Sequence, residues 1–378
     1  MNTREFTPGA DDAAFILGRI AAFGMPPAEG GGEDRLTVPT EAWGPVVGML
    51  NAQRLHGLAV AALEAGYLML SPADAEREIV LNRDAAVWSL LLERMLLEVG
   101  RDLERAGVEH VVLKGPGLAH TVYPDPAWRS FTDLDLLVRT RDWTRACETL
   151  AEQQFHRELP EPRPGFDERF GKAAEMTGRG GTQVDLHRTL VIGPFGLWID
   201  AEELFRSTTT FPLGGREFRM LDGAGLLVNA CLHASLGWRP PLLGPVRDVA
   251  QVAWHGNVDW DAFADRTKRW RLGAVVKHAF ATASEALGVA LPEQVKAFVA
   301  APANRSEQRA LEAYTTTKRG RGGLALSTMR AIPGLRAKAA YARGLLVPDR
   351  KFLAARASGG APSYFRRWSV AMHWARRR

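Results

Sequence analysis

The sequence predicts an α+β fold, a small mixed sheet flanked by helical regions on both sides. Three observations carry this expectation. From Ile79 to Leu103 the apolar residues repeat on a helical period. Between Glu109 and Leu190, short apolar runs alternate with turns and enclose one helix. Beyond Gly193 the spacing returns to that of helices. Strands grouped around a helix, with helical stretches before and after, fit a compact sheet covered by helical layers.

At 378 residues the chain is long enough for two domains, or for one core with a large extension. Hydrophobic content of 46% and charged content of 24% are ordinary for a globular protein. The net charge of +5 is unevenly spread. Between Lys318 and Arg378 there are 15 basic residues and a single acid, Asp349, so the remainder is net acidic. Cys147 and Cys231 form no CxxC pair and are too few for a disulfide framework. Met1 to Phe15 carries acids and no long apolar run, which argues against a secretory signal. No apolar stretch reaches the roughly 18 residues that span a bilayer. The expectation is a cytoplasmic protein without a transmembrane segment.

Taken in order, Asp11–Phe23 has helical spacing, and Gly24–Arg35 is a Gly- and Pro-rich loop. Thr40 is placed to cap a helix from Glu41 to about Ala65, ended by Gly66. Ser71-Pro72 opens a long helix that runs to Gly107. Strands are expected at Glu109–Leu113 and Phe131–Val138, with a helix over Thr140–Gln153. A strand begins at Phe155 and is interrupted by the loop Pro160–Gly165. Lys172–Met176 is extended, Gly178–Gly181 is a hairpin turn and Thr182–Leu190 a strand. Phe218–Leu221 is a short strand. Helices follow over Asp222–Leu236, Val246–Trp254, Trp260–Trp270, Leu272–Leu287, Pro292–Val299 and Ser306–Thr317. The basic end contains Gly320–Gly323, Pro333-Gly334 and Pro348, so it is not one continuous helix. The resulting divisions are a helical region over 1–107, the sheet core over 108–221, a helical domain over 222–317 and a basic extension over 318–378.

The chemistry concentrates between Val111 and His187. Alternate residues of a strand share a face, so Asp133 and Asp135 point the same way. Two carboxylates this close repel unless a cation compensates them. Mg²⁺ suits that role because it takes oxygen ligands and shares them with phosphates. Val184-Asp185-Leu186-His187 places Asp185 and His187 on one strand face. If that strand neighbours the first, Asp185 completes a three-carboxylate cluster. Upstream, Lys114-Gly115-Pro116-Gly117 reads as a strand-to-helix turn whose glycines permit close backbone approach. No P-loop pattern and no HExxH zinc motif occurs.

Leu113-Lys114-Gly115, Tyr123-Pro124, Arg129, Asp133-x-Asp135 followed by Leu-Leu-Val, and Val184-Asp185-Leu186-His187 together resemble one known family. It is the uncharacterised nucleotidyltransferase family of the DNA polymerase β-like nucleotidyltransferase superfamily. The resemblance implies a nucleotidyltransferase core in which Asp133, Asp135 and Asp185 hold Mg²⁺ or Mn²⁺ and carry catalysis. It implies a nucleoside triphosphate such as ATP as co-substrate, and transfer of its nucleotidyl group to a hydroxyl or phosphate acceptor. A small molecule, peptide or protein acceptor is favoured over nucleic acid. The chain departs from the superfamily in one place. A Gly-Ser pair usually precedes the acids, and here Lys114-Gly115 stands in that region, with Lys114 the candidate phosphate contact. Arg129 is expected to hold a phosphate or to pair with one of the acids. His187 is expected to orient Asp185, to meet substrate, or to be a packed histidine. Tyr123 reads as a packed aromatic with its hydroxyl satisfied. His120 carries little weight.

His233, Arg239, Arg247 and Asp248 read as a buried polar network between helices, with closure over substrate as the other reading. Tyr364-Phe365-Arg366-Arg367-Trp368 and Trp374 interleave aromatics with the basic end, which reads as a packed extension with a solvated face, or as a contact for an anionic partner. Two other functions stay open: a non-catalytic binding protein on the same fold, and transfer of another phosphate-activated group such as a sugar.

Overall fold

The structure, a computed structural model, describes residues 10–28, 35–238, 240–302, 304–315 and 320–356. It opens with α1 (Ala10–Ala22), β1 (Leu36–Thr37), α2 (Thr40–Gln53), α3 (His56–Glu64), β2 (Leu68–Met69) and the long α4 (Pro72–Arg105). The central segment contains β3 (His110–Val112), α5 (Pro116–Thr121), β4 (Leu134–Val138), α6 (Trp143–Glu152), β5 (His156–Arg157), α7 (Phe166–Phe170), β6 (Ala173–Thr177) and β7 (Gln183–His187). It continues with α8 (Pro194–Trp198), α9 (Ala201–Arg206), β8 (Thr208–Leu213) and β9 (Arg216–Leu221). Helices complete the chain: α10 (Gly223–Leu236), α11 (Leu243–His255), α12 (Trp260–Arg269), α13 (Gly273–Leu287), α14 (Glu293–Ala300), α15 (Arg305–Thr315), α16 (Gly320–Ala331), α17 (Leu335–Leu346) and α18 (Arg350–Arg356). This is an α+β fold. None of the described helices is long and apolar enough to cross a membrane.

The seven-stranded sheet is mixed, in the order β5-β6-β7-β4-β3-β9-β8. Its centre is the parallel pair β4–β7, flanked by antiparallel β3–β4 and β6–β7. All five residues of β4 are buried, as expected for a strand covered on both faces. One contiguous apolar cluster joins the N-terminal helices (Ile16, Trp43), the sheet (Leu136, Leu186) and the C-terminal helices (Val249, Phe280). The long helix begins as its sequence requires. Ser71 Oγ accepts from the Asp74 amide at 3.2 Å, and Pro72 takes the first helical position, where no N–H is needed.

Several elements differ from expectation. The helix expected over Glu41–Ala65 is two helices, because Arg54 turns into the left-handed region at φ 59° and caps α2. The apolar pattern runs through the break, so periodicity alone does not reveal it. Thr40 is the first helical residue rather than the cap; Pro39 precedes it in extended conformation without a side-chain cap. The small parallel pair β1–β2 and helices α7, α8 and α9 are additional. So is β8, which pairs with β9 across Gly214-Gly215, both at positive φ, the turn that suits a tight hairpin.

The described part of the basic extension forms α16–α18. It packs on α7 through Tyr341, whose ring lies 5.7 Å from Phe166 and 5.2 Å from Phe170, in a small apolar cluster separate from the main core. Residues 357–378, with Tyr364, Phe365, Trp368 and Trp374, lie outside the described residues, as does Arg239.

Helix α3 meets the turn after α5 at Gly57. A Cβ there would lie 2.1 Å from the Ala127 carbonyl oxygen, so backbone would have to shift. Gly57→Ala is expected to cost about 1–3 kcal/mol through overpacking, read as a lower urea midpoint at unchanged slope. An unchanged midpoint would show that the contact is not tight in solution.

Candidate active site

Strand pairing assembles the acids. In the parallel pair β4–β7, Asp135 stands opposite Asp185 and Leu137 opposite His187. Neighbouring strands lie about 4.8 Å apart, so these side chains meet on one face of the sheet. Asp133 lies just before β4, half-buried. Asp135 is 2% exposed.

A carboxylate this deeply buried needs compensation. Lys114 follows the end of β3 and is therefore free of the strand alternation. Its Nζ lies 2.9 Å from Asp135 Oδ2 and 3.4 Å from Asp133 Oδ2. On the other side, His187 Nε2 is 2.9 Å from Asp135 Oδ1, and 3.9 Å from Asp185 Oδ2. His187 Nδ1 faces the Thr189 carbonyl at 3.1 Å. These two acceptors fix the orientation of the ring. His187 thus holds Asp135 more closely than Asp185.

The two facing acids are unlike electrostatically. Burial opposes the charge of Asp135, but Lys114, His187 and Lys172 outweigh it and hold the carboxyl well below the usual range. Burial first, and then the charge of Asp135, push the Asp185 carboxyl up to about 6 against the pull of His187 and Lys172. For Lys114, burial is outweighed by Asp135 and Asp133, and its pKa is raised. Lys172, one residue before β6, contributes to the field at both acids; as a residue at a strand entry it carries no sequence signal of that role.

The donor set fits a hard divalent cation. Asp135, Asp185 and His187 each offer a ligand atom within 4.8 Å of the others. Asp135 Oδ2 is buried and accepts no aligned hydrogen bond, despite its ion pair with Lys114. The two carboxylates supply the oxygens that Mg²⁺ prefers, whereas the His187 ring is engaged with Asp135. Asp133 lies outside that compact group and fronts the adjoining cleft.

That cleft is open to solvent and encloses only about 130 Å³. Lys114, Gly115 and Asp133 form its floor; Arg54 and Leu55, from the break between α2 and α3, and Trp238, beyond α10, are among its walls. Gly115 has φ 61° and ψ −120°, a backbone state essentially restricted to glycine. Pro116 follows it at the first helical position and has no N–H, so α5 presents one free amide fewer than a helix opened by another residue. Asn229 Nδ2 of α10 donates to the Leu113 carbonyl at 3.0 Å and steadies the chain just before Lys114. Gln53 Oε1 accepts from the Leu243 amide at 2.7 Å, tying the end of α2 to the start of α11.

Arg129 makes a two-point contact with Asp248, Nε to Oδ1 at 2.9 Å and Nη2 to Oδ2 at 2.8 Å. The Tyr123 hydroxyl donates to Asp248 Oδ1 at 2.7 Å. Burial opposes the Asp248 charge, but Arg129 and these hydrogen bonds lower its pKa. Arg247 donates to the Ala21 and Phe23 carbonyls and to Gln251, inside the helical packing. His233 lines the cleft, and burial, followed by the Lys114 charge, lowers its pKa to about 3. His120 lies apart, bonded to Glu93 of α4 at 2.7 Å.

The profile of a family described as uncharacterised nucleotidyltransferase matches residues 39–288, more than half of the chain. No curated protein matches. Among solved structures, an antigenic nucleotidyltransferase-like protein from Paracoccidioides brasiliensis is 15% identical, with 56% of this chain and 95% of that one covered. Its TM-score of 0.29 is too low to carry an argument.

Two outcomes follow. With a pKa raised from 3.8 to about 6, the charge of Asp185 costs the folded state stability as pH rises through that interval. In chelator, Asp185→Asn should therefore melt higher than the parent at pH ~8, by on the order of 2 kcal/mol, with the difference fading below pH ~4. Mg²⁺ should raise the melting temperature of the parent more than that of the variant; a variant already less stable in chelator at pH ~8 contradicts this electrostatic account. Asp248 has the opposite sign: its lowered pKa contributes stability above the ordinary carboxylate value, lost as pH falls through the folded one. Asp248→Asn leaves Arg129 buried without its charge partner and should cost about 3 kcal/mol at neutral pH by urea titration.

Proposed function

The chain belongs to the uncharacterised nucleotidyltransferase family, and on that premise we propose that it transfers a nucleotidyl group from a nucleoside triphosphate to a hydroxyl or phosphate acceptor, with Mg²⁺ as cofactor and release of pyrophosphate. The observation that carries the reading is the facing pair Asp135–Asp185 beside Asp133 and the cleft. Asp135 and Asp185, with Asp133, are the proposed metal ligands. A divalent cation held there supplies charge compensation for the phosphates and a lowered pKa for the acceptor hydroxyl.

The chain's own groups divide the remaining work. Lys114 lies between the two leading acids, within reach of a phosphate oxygen in the cleft. In the proposed exchange, part of its contact with Asp133 is traded for that phosphate. Gly115 lets the backbone approach the same group closely. His187 fixes the Asp135 carboxylate through its Nε2. Asp185, facing Asp135 across the strand pair, accepts the acceptor's proton. The acceptor oxygen forms a bond to the α-phosphorus, the bond from that phosphorus to the bridging oxygen breaks, and pyrophosphate leaves with the electron pair. Arg129 serves by holding Asp248 and the wall of the cleft. The acceptor class favoured is a small molecule, peptide or protein.

One observation favours a second reading. Lys114 already compensates Asp135 and Asp133, as a non-catalytic binding protein would require. Calorimetry separates the two, because only the enzyme reading needs triphosphate binding that depends on Mg²⁺.

Incubation with α-labelled triphosphates, Mg²⁺ and host extract should transfer label to an acceptor and release pyrophosphate. Asp133→Asn and Asp135→Asn should each lower that transfer by at least about a hundredfold, the scale of losing a main electrostatic contributor, while the far-ultraviolet spectrum is retained. Undiminished labelling in a folded Asp135→Asn protein would refute the metal assignment.

A further inference from the structure

Helix α4 carries two opposed faces. One follows Glu78, Ala85, Leu92, Leu96, Val99 and Leu103, and its later members are buried against the body. The other follows Glu76, Val80, Arg83, Val87, Leu90 and Arg94, and all six are exposed. Their spacing of four and three residues in alternation is that of a coiled-coil seam. From Ile79 to Leu91 no residue is fully buried, although the segment is rich in large apolar side chains. Leu90 is 63% exposed, Val87 51%, Val80 49%, Leu91 47% and Ile79 44%. A concentration of this kind on one helix marks an interaction surface rather than ordinary surface.

We propose that this seam pairs with the same seam of a second copy of the chain, antiparallel about a two-fold axis. The sequence of the face supports that occupant over an unrelated one. Reversed, the six positions map onto themselves. Glu76 then faces Arg94 of the second copy, Val80 faces Leu90, and Arg83 faces Val87, each contact occurring twice. The charges at the two ends are opposite, and the apolar residues meet between them. The aliphatic stem of Arg83 covers Val87 while its head stays in water. A two-fold interface requires a patch that complements itself in this way. The seam covers about 27 Å of helix at 1.5 Å per residue. Arg94 is available, since its contact with Glu98 is an exposed one within the same helix at 3.1 Å.

The test is sedimentation velocity of the full chain across a concentration series up to about 0.1 mM. The parent is expected to sediment as a dimer in the upper part of that range. Leu90→Asp, at an exposed site that leaves the core intact, should raise the dissociation constant at least tenfold. Arg94→Glu should weaken pairing by opposing Glu76 of the second copy, and the double variant Glu76→Arg with Arg94→Glu should restore it. Restoration supports the antiparallel register, which a contact with an unrelated partner would not produce. A parent that remains monomeric, a dimer indifferent to Leu90→Asp, or a double variant as weak as the single one overturns the proposal.

Discussion

The buried carboxylate of Asp135 is the constraint around which the centre of this protein is arranged. A charge on the middle strand of a mixed sheet, nearly inaccessible to water, is strongly disfavoured unless opposite charge reaches it. Lys114 reaches it from the end of β3, and His187 from the neighbouring parallel strand. Each source of compensation depends on a different strand pairing, β3–β4 for the lysine and β4–β7 for the histidine. Electrostatics and sheet register are therefore coupled: a slip of one residue in β4–β7 would send His187 to the other face.

The same constraint explains why Asp185 differs so much from the residue it faces. The available positive charge is directed first at Asp135, and Asp185 is left with burial and a nearby negative neighbour. A site with one firmly ionised and one reluctant carboxylate is electrostatically incomplete. Carboxylates perturbed in this way are concentrated at functional sites. The cleft beside this pair is built by both helical regions as well as the sheet. Its walls include the α2–α3 break and the start of α11, which Gln53 ties together. The Arg129–Asp248–Tyr123 cluster fastens that wall to the segment between α5 and β4.

Much of the fold was legible because its signals are local. Ser71-Pro72 announces α4, Gly107 ends it, and the alternation around Asp133-Leu134-Asp135 marks a strand entry. Arg54 was illegible, because its left-handed turn interrupts an unbroken apolar pattern. The additional strand β8 had a signal, Gly214-Gly215, but its polar Thr208–Thr210 start lacks the alternation that marks a half-buried strand. At the site, Arg129 left two partners open in the sequence, a phosphate or one of the acids. Its partner is Asp248, which belongs to a helix 119 positions further along, and no local rule reaches that far.

The sequence by itself determined the local order of the candidate residues: two acids around one apolar residue, a third acid with a histidine two positions on, and a Lys-Gly turn upstream. Side-chain alternation along a strand is a property of covalent geometry, so those facing relations follow from the chain alone. Only the tertiary structure decided which strand lies beside which, and therefore that Asp135 meets Asp185 in register, that Lys114 rather than Arg129 compensates the leading acids, and that the α2–α3 break walls the cleft. Burial and long-range charge set those outcomes, because both depend on groups brought together from distant parts of the chain.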